Sequence, residues 1–112
     1  MSAKFELKKN EGGAYYFHLK AGNGEIVLRS QSYGAKASAL NGIASVKANA
    51  GTATQFVKSI AKNGQPYFNL TATNGQIIGT SEIYSSEAAC DKGIASVMTN
   101  AASAEIQDLI ND

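Results

Sequence analysis

Apolar and polar residues alternate along Lys4–Lys8, with Phe5 and Leu7 on one side and Lys4, Glu6 and Lys8 on the other. A period of two predicts a strand with one buried face. Asn10-Glu11-Gly12-Gly13 interrupts the pattern as a turn. The alternation resumes over Tyr15–Ala21, where Tyr15, Phe17, Leu19 and Ala21 share one face and Tyr16, His18 and Lys20 the other. Asn23-Gly24 then predicts a tight hairpin whose central residues both take positive φ. Glu25–Arg29 is apolar on both faces through Ile26, Val27 and Leu28, as expected of a central or doubly covered strand. Simple hairpin pairing would place Tyr16 beside Val27. Beyond it the period lengthens: Ala39, Gly42, Ile43, Val46 and Ala50 recur at helical spacing, with Gly34 as the expected N-cap and Gly51 as a left-handed stop.

The same pattern returns 51 residues later. Tyr16-Phe17 falls on Tyr67-Phe68, Leu19 on Leu70, Asn23-Gly24 on Asn74-Gly75, Ser30 on Ser81 and Tyr33 on Tyr84. Gly42-Ile43-Ala44-Ser45-Val46 falls on Gly93-Ile94-Ala95-Ser96-Val97, and Phe5 on Phe56 carries the match back to the first strand. About half the positions from Tyr16 to Ala50 are identical without a gap, so the chain is a duplicated β-β-β-α unit. The boundaries are residues 1–51 for the first repeat and 52–112 for the second with its tail, together one domain. Pro66 opens the second copy of strand two, where a missing N–H is tolerated. Ser85 is the expected cap of the second helix, whose stripe is Cys90, Gly93, Ile94, Val97 and Ala101. A glycine inside each helix, on the buried stripe, points to close backbone approach. Glu105–Leu109 falls where a third unit would begin its first strand, although Ile106, Leu109 and Ile110 also suit a helix; the repeat favours a short strand.

The run Leu19-Lys20-Ala21-Gly22-Asn23-Gly24-Glu25-Ile26 and the helix segment Asn41-Gly42-Ile43-Ala44-Ser45-Val46, with their second copies, resemble the YegP-like family of uncharacterised bacterial proteins. The resemblance covers nearly the whole chain. It implies an α+β fold of two intertwined β-β-β-α repeats, with antiparallel sheets packed against two helices. It implies no activity, substrate or catalytic residue. Thr73 and Gln76 depart from the usual hairpin in the second copy.

Composition sharpens the picture at a few points. The 112 residues are 44% hydrophobic and 17% charged, ordinary for one globular domain, and no apolar run approaches membrane-spanning length. The N-terminal residues lead into a strand without a stretch of signal-peptide length, so a cytoplasmic location is expected. Cys90 is the single cysteine and forms no intramolecular disulfide, which fits a reducing compartment. The net charge of +1 conceals an imbalance. Seven cations oppose three carboxylates over residues 1–51, and three oppose six over residues 52–112. The imbalance reads either as two solvated faces that have drifted apart or as a dipole that favours head-to-tail contacts or steers an anion to the first half.

Candidate chemistry is sparse. His18 is the only histidine, on the polar face of its strand, and its counterpart Asn69 cannot transfer protons. It reads as a surface polar residue, and Cys90 on a helix stripe as a small buried hydrophobe. The glycine runs separate strands and lack the arrangement that holds a phosphate at a helix N-terminus. No catalytic, metal or cofactor residue is assigned, and no cofactor is expected. The recurring tyrosines Tyr16, Tyr67, Tyr33 and Tyr84 are the candidate binding residues, either as packing elements or as a docking surface for a partner. The expected function is that of a small non-catalytic binding domain, acting on a protein partner or as a homodimer. Nucleic-acid binding through the basic first repeat is the alternative, disfavoured by a net charge far below that of typical nucleic-acid-binding domains.

Overall fold

The computed structural model describes residues 3–110. Strands β1 (Lys4–Lys9), β2 (Tyr15–Lys20) and β3 (Ile26–Arg29) lead into helix α1 (Lys36–Asn49). A short 3-10 turn (Ala53–Gln55) precedes β4 (Phe56–Ile60), β5 (Pro66–Thr71), β6 (Ile77–Thr80) and helix α2 (Glu87–Asn100). The tail forms strand β7 (Glu105–Asp108), as the repeat favoured.

Each strand–strand connection in the two meanders is the same turn. Gly13, Gly24, Gly64 and Gly75 hold φ of 84–86°, and no other described residue has positive φ. At the second turn the Gly24 N–H donates to the Ala21 carbonyl and the Ala21 N–H to the Glu25 carbonyl. The result is a three-residue loop closing on a left-handed glycine. The expectation that Asn23 and Asn74 also take positive φ is corrected. Their side-chain oxygens instead accept from the N–H groups of Glu25 and Gln76.

The two meanders are continuous in one seven-stranded sheet of order β4-β5-β6-β3-β2-β1-β7. They meet at the pair Arg29↔Thr80. These positions are equivalents under the 51-residue shift, so a pseudo-twofold axis passes between them. Their neighbours are equivalents too, and there the copies differ: Leu28 in one, Gly79 in the other. A Cβ on Gly79 would lie 2.6 Å from the Leu28 side chain, which already fills the axial space.

His18, Arg29, Thr80 and Asn69 form one row across the sheet. Phe17 and Phe68, one residue along, therefore point to the opposite face, and both helices cover that face. Each helix crosses the junction: α1 packs on β2 and reaches β5 and β6, while α2 packs on β5 and reaches β3. That crossing is the physical form of the intertwining. Phe5, Leu7, Phe17, Leu19, Leu28, Ile43, Val46, Phe68, Leu70, Cys90 and Val97 are fully buried in one core. Ser30 and Ser81 seal the inner strands, each hydroxyl accepting from the N–H of Phe17 or Phe68 at 2.9 Å.

The helix ends differ from expectation by a residue. Ser86, not Ser85, caps α2 and accepts from the Ala89 N–H, and Ala35, not Gly34, precedes α1 without a side-chain cap. Gly51 does not adopt a left-handed conformation, since α1 ends at Ala50 in ordinary helical geometry. A β-bulge at Leu19/Lys20 shifts the hairpin register. Val27 is the residue left over at the bulge and lines a groove against α2, so it does not lie beside Tyr16, whose partner in β1 is Lys8.

Candidate functional site

The four recurring tyrosines do not converge. Tyr33 and Tyr84 lie on the helix side, each ring stacked on a core phenylalanine, Phe17 at 6.4 Å and Phe68 at 6.2 Å. Each also covers a helix glycine. A Cβ on Gly42 would sit 2.9 Å from Cζ of Tyr33, and one on Gly93 closer still to Tyr84. Burial raises both phenol pKa values above the ordinary range. Each ring forms one wall of a groove between a helix and the hairpin of the other repeat. One is lined by Tyr33, Gly42, Gln76 and Ile77, the other by Tyr84, Gly93, Glu25 and Lys92.

Tyr16 and Tyr67 lie on the opposite sheet face, which no helix covers. Tyr67 borders an open groove of about 670 Å³ with Arg29, Thr80, Glu82 and Ile83. The Arg29 guanidinium donates twice to one Glu82 oxygen, from Nε at 3.0 Å and Nη2 at 2.5 Å. Tyr16 packs on His18 with ring centroids 5.2 Å apart.

Around that ring pair the first repeat gathers its charge. Glu6 sits opposite His18 in the ladder and is only 6% exposed. Its carboxylate lies 3.0 Å from the Lys20 ammonium, 3.6 Å from Lys8 and 3.8 Å from Lys4. Burial alone would raise the Glu6 pKa, but hydrogen bonding and charge from Lys20, with Lys8 and Lys4 behind it, hold it below the usual carboxylate range. One carboxylate thus faces three ammonium groups, and with Glu105 of β7 paired beside Lys4 this half of the face keeps a small positive surplus. The second repeat carries none of this: Val57, Ser59, Tyr67, Asn69 and Thr71 stand at the equivalent places.

His18 faces away from the core, as its strand position suggested, although it is not fully exposed. It is half-buried, and its Nδ1 has no hydrogen-bond partner among the described residues. Burial lowers its pKa first, Lys8 and Arg29 lower it further, and Glu6 opposes them. A neutral imidazole without an orienting acid and a nucleophile is not an assembled general base. Cys90 is fully buried, and burial, then the Asp91 charge, push its thiol up, away from the reactive thiolate form. Among the described residues no three histidine, cysteine or acidic side chains are placed to hold a metal, and no helix is long and apolar enough to cross a membrane.

Sequence reading missed Glu6 as a buried group, Arg29 and the Leu28/Gly79 exchange at the axis. The signal for the first was present in the repeat: Lys4, Glu6, Lys8, His18 and Lys20 are all charged or titratable where the second copy is uncharged.

A tandem-repeat α+β domain with a bare, half-basic sheet face is the class that fold and site define. The chain belongs to the family described as a domain of unknown function, DUF1508, whose model matches twice, over residues 10–56 and 61–108. Each match ends in the strand after the helix, β4 or β7. The chain is 52% identical over 109 residues to a UPF0339 protein of Acinetobacter baylyi, covering 97% of this chain and 98% of that one. It is 51% identical over 105 residues to the UPF0339 protein YegP of Yersinia pestis, covering 94% of each. The solution NMR structure of a UPF0339 protein from Shewanella oneidensis matches with a TM-score of 0.92 at 51% identity, over 98% of this chain and 93% of that one. The solution NMR structure of YegP from E. coli, described as a protein of unknown function, matches with a TM-score of 0.93 at 44% identity, over 100% of this chain and 97% of that one.

Proposed function

We propose that this protein is a non-catalytic, cytoplasmic binding domain whose helix-free sheet face takes an acidic segment of a partner protein. The observation that carries the reading is the cluster of Lys4, Lys8 and Lys20 around the buried carboxylate of Glu6, beside the ring pair Tyr16–His18, where three ammonium groups outnumber Glu6 and Glu105. A surplus of ammonium groups on a face left open by both helices favours an anionic partner by long-range attraction and by contact. The reading as a non-enzyme rests on the separation of His18, Cys90 and the acidic groups from any reactive arrangement, and the cytoplasmic placement on the lone, buried Cys90.

A second reading has one observation in its favour. Aromatic rings beside cations on a bare sheet can stack unpaired bases, and Tyr16–His18 offers such a platform. Binding of an oligo-glutamate peptide and of a single-stranded oligothymidine, each to the parent and to Lys4→Gln/Lys8→Gln, separates the two. These substitutions leave the Lys20–Glu6 pair in place. The proposal expects the peptide to bind the parent, to bind the variant several-fold more weakly, and to bind better than the oligonucleotide. Tighter oligonucleotide binding with a steep salt dependence would favour the second reading. Equal peptide binding by parent and variant would contradict the first.

A further inference from the structure

β1 and β4 are the same strand of the repeat, with Phe5 equivalent to Phe56 and Leu7 to Lys58. Their outer edges are treated differently. Beyond β1 lies β7, running parallel, with Ile106 beside Phe5 and Asp108 beside Leu7. Beyond β4 there is no strand among the described residues, since β4 is the sheet edge. Burial records the difference. Phe5 is fully buried while Phe56 is only half-buried, and Val57 and Ile60 are 47% and 68% exposed. An edge of this kind, without a proline, a bulge or an unneutralised charge, is a template for a further strand.

The helix beside each edge sets the charge such a strand must carry. At the occupied edge, Asp108 of β7 reaches Lys36 in the first turn of α1. Lys36 is the wrong sign for a helix N-terminus, and Asp108 supplies the negative charge that turn lacks. At the open edge the position equivalent to Lys36 is Glu87, which with Asp91 faces the single ammonium of Lys58. Two carboxylates against one cation leave a negative surplus where the occupied edge has a positive group.

We propose that the β4 edge is a strand-addition site for an extended segment of a partner protein, running parallel to β4 and carrying an apolar residue followed two positions later by lysine or arginine. The apolar residue covers Phe56 as Ile106 covers Phe5. The cation completes the Lys58–Glu87–Asp91 cluster as Asp108 completes Lys36. A second copy of this chain is the less suitable occupant. A twofold pairing of β4 with itself sets like against like and brings two negative surpluses together. The site lies at the far edge of the sheet from the Glu6 cluster, and the proposal stands independently of the function assigned to that face.

The probe is the chain's own edge strand: a synthetic peptide copying residues 104–110 with Asp108→Lys, compared with the unaltered copy. Amide shifts of the labelled full-length protein are followed on titration with each. The expected result is shifts confined to β4 and the start of α2, with the lysine peptide binding about two- to five-fold tighter, the scale of one exposed ion pair. Glu87→Lys, which installs the residue that opens α1, reverses the preference. Absence of shifts in β4 with both peptides, an unchanged preference in Glu87→Lys, or concentration-dependent self-association through β4 in the absence of peptide would each overturn the proposal.

Discussion

Gly42 and Gly93 show how one missing side chain organises its surroundings. Each lies mid-helix, where glycine costs about 1 kcal/mol relative to alanine. The space a Cβ would occupy is taken by the Tyr33 or Tyr84 ring and, behind it, by Phe17 or Phe68. Propensity and packing therefore pull in opposite directions, and packing wins because each ring is already stacked on the core. Gly42→Ala and Gly93→Ala are expected to destabilise by about 1–3 kcal/mol each, as overpacking does. A melting temperature raised by either change would show that the ring gives way without loss. At His18 the residue-scale effect is electrostatic. Its pKa is lowered in the folded protein, by burial first and by Lys8 and Arg29 next. The folded state thus binds fewer protons than the unfolded one just below the ordinary imidazole pKa, and stability falls as pH falls through that window. Melts at about pH 7.5 and about pH 5.5, either side of the ordinary imidazole value, should show a larger loss for the parent than for His18→Asn. Glu6, held below the carboxylate range, stays ionised throughout and does not blur the comparison. Equal losses would place the slope elsewhere.

At the scale of elements, periodicity made most of the architecture legible. The alternation in β1, β2 and β5 and the stripes of α1 and α2 pick out residues that are in fact buried, including Phe5, Phe17, Phe68, Val46 and Val97. The 51-residue shift correctly favoured a strand for the tail, where local spacing alone also allowed a helix. The misses have separate physical causes. The bulge at Leu19/Lys20 is a register shift that a strict period of two cannot express, so Val27 was set on the face of Tyr16 although it lines the α2 groove. The cap positions slipped by one because Ser85 and Ser86 are alike in type, while Gly34 is a better cap by type than Ala35, which holds the place without a side-chain bond. The junction was hidden because it depends on a difference between copies, Leu28 against Gly79, while the repeat was read from what they share. This site supports a demanding prediction. Leu28→Gly should open a cavity, costing about 2–5 kcal/mol, and Gly79→Leu should clash, costing about 1–3 kcal/mol or more. Combined, they exchange the copies' roles across the axis and should recover a substantial part of the summed loss. Strictly additive losses would contradict the axial packing.

For the molecule as a whole, the duplication has made two faces of different character. One is covered by both helices, each crossing from its own half to the other, and holds the core. The other is bare, basic around β1 and β2, and over the second repeat it carries Lys62 and the Arg29-bonded Glu82 beside Tyr67. The charge imbalance between halves was legible in the sequence, but its concentration on this face was not, because it follows from the helices lying on the opposite side. The candidate tyrosines were legible as recurring residues. Their division between faces required the geometry: Tyr33 and Tyr84 pack on the core, while Tyr16 and Tyr67 face outward. The basic half of the bare face is the proposed binding surface. Its most direct test is a map of amide shifts when the labelled protein is titrated with the oligo-glutamate peptide at low salt. The expected shifts are concentrated in β1, β2 and β3, at residues flanking Lys4, Lys8, Lys20 and the Tyr16–His18 pair. Shifts confined to the helix side, in the grooves beside Tyr33 and Tyr84, would contradict it.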